Sequence, residues 1–164
     1  MSSAVATKQT ETSITFVKTF DAPRELVYET FVTPKHLQAW WMPKGCAMFY
    51  CTIDLKVGGE WRYGVTIDDS GAEHWVKAEY EEIVPGKRLV LSDHFTDKDG
   101  LVNNSLPGKR MIITFEDEGD GTAVTIETIL ATPELKEQLA KMGFVEGMTM
   151  ALGNLTQLLG DLEG

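Results

Sequence analysis

The spacing of apolar positions changes twice along the chain, and each change marks a new kind of element. Residues 1–12 are polar and unpatterned, which reads as a disordered tail ahead of a single domain spanning 13–164. From Ile14 through Phe16 to Phe20 apolar residues alternate, as a half-buried strand requires. Asp21-Ala22-Pro23 stops it, with Asp21 placed to cap a helix and Pro23 suited to a first turn. Arg24–Val32 then reads as a short helix with Leu26, Val27 and Phe31 on one side. Thr33-Pro34 restarts a second one to about Trp41, and Pro43-Lys44-Gly45 ends it.

Period two returns in the middle. Strands are expected over Cys46–Leu55, Glu60–Ile67, His74–Val84, Leu89–Thr96, Met111–Phe115 and Ala123–Leu130. Gly58-Gly59, Asp68-Asp69-Ser70-Gly71, Pro85-Gly86 and Glu118-Gly119-Asp120-Gly121 supply the turns, and residues 97–108 form the longest polar connection. Short connections between successive strands mean an antiparallel meander. After Thr132-Pro133 the period becomes helical. Leu135, Leu139, Met142, Val145, Met148, Leu152, Leu155, Leu159 and Leu162 form one stripe on a helix of roughly 30 residues, about 45 Å long. Gly143, Gly147, Gly153 and Gly160 weaken it and permit a kink or a close approach to the sheet. The α+β order places one long amphipathic helix against a curved antiparallel sheet, with room for a cavity between them.

Charge narrows the choice of partner. Fifteen basic and 25 acidic residues leave a net charge of −10. The excess begins after residue 60, with thirteen acidic residues against seven basic over 61–120. Such a domain repels nucleic acid and anionic membrane. No apolar run is long enough for a membrane span, and the polar start lacks a signal-peptide core. Cys46 and Cys51, five apart on one strand, are expected on opposite faces, reduced and unable to bridge each other. The expected location is the cytoplasm.

Five segments together resemble a known family. Phe20-Asp21-Ala22-Pro23-Arg24-Glu25-Leu26-Val27-Tyr28 is similar to the opening of the START-like, Bet v 1-like superfamily. Thr33–Pro43 with its Trp40-Trp41 pair, Asp54–Tyr63 with Gly58-Gly59-Glu60-Trp61-Arg62, Tyr80–Val90 with Ile83-Val84-Pro85, and the segment from Glu146-Gly147-Met148 to Leu155 resemble the branch related to the C-terminal domain of the activator of Hsp90 ATPase. Met42 stands where that branch usually has Gly, and Met148 where it has Trp. The resemblance implies a helix-grip fold, a curved antiparallel sheet with two short helices and one long C-terminal helix enclosing a hydrophobic cavity. Its members bind lipids, sterols, polyketides or hormones; some are cyclases or dehydratases, and some are co-chaperone domains.

The leading functional reading is a module that binds a small hydrophobic molecule. The expected lining is Trp41, Met48, Trp61, Tyr63 and Val65, with Met111, Ile113, Phe144, Met148 and Leu152. Trp40 and Trp41 lie about 100° apart on a helical wheel; both are expected as core anchors, with one at the cavity entrance as the alternative. Trp75 falls on the other strand face from Val76 and is excluded from the site, and Arg62 and Lys77 read as outward and solvated. A second reading is a co-chaperone module partnered with Hsp90 in a stress response. The third is a cyclase or dehydratase using Asp93, His74 or Tyr63 as acid or base. Asp93 alternates with Leu91 and Phe95 and so faces inward, where a carboxylate needs a partner. Ser92-Asp93-His94 is not a triad, because neighbouring strand residues face opposite ways. The three histidines lack metal spacing, and Asp97-Lys98-Asp99-Gly100 lacks the closing Glu of a calcium loop, so neither metal nor cofactor is expected. Monomer and homodimer both remain open, an exposed Trp or Met patch favouring the dimer.

Overall fold

Strand alternation between residues 6 and 129 assembles one eight-stranded sheet, ordered β1-β2-β8-β7-β6-β5-β4-β3 with every neighbouring pair antiparallel. Its strands are β1 (Ala6–Gln9), β2 (Ser13–Phe20), β3 (Cys46–Ile53), β4 (Glu60–Ile67), β5 (Ala72–Val84), β6 (Arg88–Thr96), β7 (Lys109–Glu118) and β8 (Gly121–Ile129). The helices are α1 (Arg24–Val32), α2 (Pro34–Trp40), α3 (Pro133–Lys141) and α4 (Phe144–Glu163). The computed structural model describes residues 4–42, 45–67 and 71–163. The expected turn residues 68–70 and the Pro43-Lys44 stop lie outside the described residues. The sheet is curved and open, and the long α4 lies against it, as in a helix-grip fold.

The inward residues of the strands and α4 share one apolar core. Phe16, Phe20, Trp40, Tyr80, Met111 and Phe115 are buried there, with Leu152, Leu155 and Leu159 from α4. Phe31 of α1 packs edge-on against Trp40 and Phe115, with ring centroids 4.8 and 5.1 Å away. The Trp40 indole N–H donates to the Thr30 carbonyl at 2.9 Å, which ties α2 to α1.

Four local expectations are corrected. Within the supposed tail, residues 6–9 form the edge strand β1, in register with β2 from Ala6↔Val17 to Gln9↔Ile14. All four of its side chains are exposed, so it carries no apolar alternation to detect. Asp21 does not cap α1; the cap position is Pro23, with no side-chain bond. The C-terminal stripe is two helices rather than one. The chain breaks at Met142-Gly143, where Gly143 has φ = 87°, a conformation that costs side-chain-bearing residues dearly. Thr132 does cap α3, accepting from the Leu135 N–H at 3.1 Å.

The fourth correction concerns β3. A bulge at Phe49 shifts the register, so that Met48 pairs with Val65 while Cys51 pairs with Tyr63 and Cys46 with Ile67. Cys46 and Cys51 therefore share the concave face instead of lying on opposite ones, and both are free thiols. On the convex face Phe49 and Tyr50 pack against Trp75, 5.4 and 5.3 Å between centroids. Gly64 leaves room for this cluster: a Cβ there would come within 2.8 Å of the Phe49 ring and 3.1 Å of Trp75. Trp75 is thus off the concave side, as its alternation requires. Arg62 is outward too, donating to the Lys98 carbonyl at 3.2 Å.

Candidate functional site

The break between α3 and α4 stands over the half of the sheet formed by β3 to β7, and a pocket of about 370 Å³ lies beneath it. Antiparallel register builds its floor as a row of facing pairs. Val65 is opposite His74, Tyr63 opposite Val76, and Val76 opposite Phe95. Leu139, Met142 and Gly143 from the end of α3, and Phe144, Gly147 and Met148 from the start of α4, form the roof. Trp41, Met42 and Cys46 close one side, and Lys109 stands at the first position of β7. Met142 and His74 are exposed and mark the rim.

Two polar groups inside this apolar wall have fixed partners. Tyr63 is 6% exposed, and its hydroxyl oxygen accepts from the Trp41 indole N–H at 3.2 Å. Burial first, then the negative charge of Asp93, push the Tyr63 hydroxyl far above the usual phenol range. It therefore stays neutral and keeps its proton. Among the described residues no acceptor is hydrogen-bonded to that proton. The Tyr63 ring is further held by Trp61 at 4.8 Å, which meets Trp41 at 5.1 Å.

Lys109 and Asp93 are cross-strand partners on β7 and β6. The ammonium lies 2.9 and 2.8 Å from the two carboxylate oxygens, with side chains 9% and 5% exposed. Phe144 and Phe95 flank the same ammonium, with ring centroids 5.4 and 5.9 Å away. A buried ammonium and carboxylate are tolerable only when paired this closely. Asp93 thus has the partner that an inward carboxylate needs, and that partner occupies both its oxygens. Ser92 donates outward to Glu81 at 2.7 Å and His94 is exposed, so the three consecutive residues form no triad. Among the described residues, no three His, Cys, Asp or Glu side chains converge as metal ligands. Among the described residues, no helix is long and apolar enough to cross a membrane.

The model of the family described as "Activator of Hsp90 ATPase homolog 1-like protein" matches residues 21–160. The chain belongs to this family. The match spans everything from the end of β2 to the last turn of α4, so both pocket walls lie within it. No curated protein matches the chain. Solved structures similar to it include a protein of Arthrobacter aurescens, at 24% identity and a TM-score of 0.88, covering 97% of this chain and 93% of that one. A protein of Mycobacterium smegmatis has 24% identity and a TM-score of 0.85, covering 97% of each chain. One of Silicibacter pomeroyi, called AHSA1, has 18% identity and a TM-score of 0.72, covering 93% of this chain and 99% of that one. At these identities the likeness establishes the fold.

Within this AHSA1-family fold the residues expected at the site divide. Trp41, Tyr63, Val65, Phe144 and Met148 are on the pocket wall, as is His74. Met48, Trp61, Met111, Ile113 and Leu152 are off it, packed in the contiguous core. Trp61 is covered by Trp41, and Leu152 is beyond the first turns of α4 that form the roof. Trp40 and Trp41 are both buried core anchors, as expected, and Trp41 also forms part of the pocket wall. Nothing in the alternation marks Lys109, because the apolar pattern of β7 starts at Met111, two residues after the strand does. The inward orientation of Lys109 follows from the register, which sets it opposite Asp93. Phe95 did carry a signal, since it shares the alternation of Leu91 and Asp93.

Proposed function

We propose that this protein binds a small hydrophobic ligand in the pocket between the sheet and the α3–α4 corner. One observation carries the reading. Val65, Val76 and Phe95 face Phe144 and Met148 across about 370 Å³ that no side chain fills. Protein interiors are otherwise packed to crystal density, so such walls forgo dispersion contacts that a guest would restore. The volume falls at the low end of small-molecule sites, roughly 300–1,000 Å³. Apolar burial drives entry at about 25 cal/mol per Å² removed from water, before association costs.

The test is native mass spectrometry with a thermal-shift screen of lipids and aromatic compounds. At a hundredfold excess over Kd a ligand adds about 2.7 kcal/mol, or about 5 °C or more in Tm. A screen in which no compound adds mass or shifts Tm overturns the proposal. The binding reading stands ahead of an enzymatic one because Asp93, the buried acid, is already held by Lys109. The family's description suggests a module that stimulates the Hsp90 ATPase. The ATPase rate of the cognate Hsp90 with and without this chain decides that reading, and an unchanged rate ends it.

A further inference from the structure

We infer that the pocket selects an uncharged apolar ligand bearing one hydrogen-bond acceptor, a ketone, ester or ether oxygen set against the Tyr63 hydroxyl, and that it discriminates against carboxylates. The inference rests on the ligand-binding reading and specifies its ligand class.

Three observations carry it. First, the Tyr63 oxygen already accepts from Trp41 at 3.2 Å, and its proton, the group's single donor, is unused among the described residues. The residue lines the pocket while 94% buried, with 6% exposure. A donor walled by apolar side chains gains most from a neutral acceptor that arrives with its own apolar body. Burial raises the hydroxyl pKa above the usual phenol value, so the donor keeps its proton at neutral pH. Second, the cation that would otherwise invite an anion is neutralised. Lys109 meets both oxygens of Asp93 at 2.9 and 2.8 Å, and the rings of Phe144 and Phe95 take up its other sides. A ligand carboxylate drawn inside would place two negative charges on one ammonium in a low-dielectric wall, leaving one of them unpaired. Third, the chain's net charge of −10 lowers the concentration of anions at its surface before any contact forms.

The experiment uses the full chain and three ten-carbon probes at neutral pH: a methyl ketone, the carboxylate, and the unsubstituted alkane. Affinities are read by native mass spectrometry and calorimetry. The wild type is expected to bind the ketone at least about fivefold more tightly than either of the others, the margin of one net hydrogen bond. In Tyr63→Phe the ketone-to-alkane ratio should fall by about that same fivefold factor. Asp93→Asn, which frees the ammonium for an incoming anion, should raise carboxylate affinity relative to ketone by at least about tenfold. Should that variant fail to fold, the wild-type series and Tyr63→Phe decide alone.

Carboxylate binding equal to or tighter than ketone binding in the wild type overturns the inference while the ligand-binding reading stands. An undiminished ketone preference in Tyr63→Phe does the same. If none of the three probes binds, and the broader screen is also silent, both readings fall.

Discussion

At the residue scale the site is governed by which polar groups are already partnered. Asp93 and Lys109 are both nearly solvent-free, so removing one strands the other. Asp93→Ala should therefore cost about 3–5 kcal/mol, whereas the double change Asp93→Leu with Lys109→Met should cost less than the single one. Urea denaturation of the two variants checks the order, and equal losses would deny the pairing its role. The tyrosines give a prediction in pH. Burial raises the hydroxyl pKa of Tyr28, Tyr63 and Tyr80 above the usual value of about 10. Above that pH the native chain holds more protons than the unfolded one, so stability falls as pH rises and is unaffected below it. Phenolate absorbance from Tyr63 and Tyr80 should then appear together with loss of the fold, not before it. Tyr80, whose buried hydroxyl has no hydrogen-bond partner among the described residues, offers a control. Tyr80→Phe should be neutral or stabilising at pH 7 and should flatten the alkaline decline. Much of this chemistry was legible: alternation alone put Asp93 and Tyr63 inside. Lys109 was not, because a lysine at the start of a strand looks like any solvated one until its register is known.

At the element scale two departures from regularity shape the pocket, and they were not equally visible. The bulge at Phe49 brings Cys46, Met48 and Cys51 to one face, and no change in hydrophobic period announces it. What the residues Phe49-Tyr50 provide is the convex cluster with Trp75, a contact that depends on strands distant in sequence. The break at Gly143 did leave a mark, since four glycines interrupt the apolar stripe of residues 135–162, yet the stripe itself runs on without a gap. Periodicity reports which side of a helix is buried and is insensitive to a change of axis. The backbone at Gly143, with φ = 87°, is what separates α3 from α4 and lets Met142 and Phe144 both reach the roof. Gly143→Ala should cost about 1–2 kcal/mol, and Gly143→Asn less, because Asn tolerates that region better. Chemical denaturation measures both. An alanine variant as stable as the wild type would mean the corner is set by packing rather than by the glycine.

At the scale of the whole molecule the same sheet is packed solid at one end and left open at the other. Around Phe31, Trp40 and Phe115, α1 and α2 fill the space with interlocking rings. Under the α3–α4 corner the roof and floor leave about 370 Å³ between them. The order of elements and the helix-grip arrangement were readable from patterning, because every strand that buries one face must alternate. The place of the pocket was not, since it depends on how far the roof stands from the floor. That explains why Met111, Ile113 and Leu152, inward by every sequence criterion, belong to the packed end. Met148 provides the means to test the division. It occupies the roof and is 6% exposed. In the packed end a Met→Trp change would overpack the core and cost about 1–3 kcal/mol. Over an unfilled pocket the added ring has space, and filling it recovers about 24 cal/mol per Å³ of cavity. Met148→Trp should therefore leave the unliganded protein at least as stable as the wild type while abolishing the thermal shift given by wild-type ligands. A variant that is destabilised yet still binds would place the ligand elsewhere on the molecule.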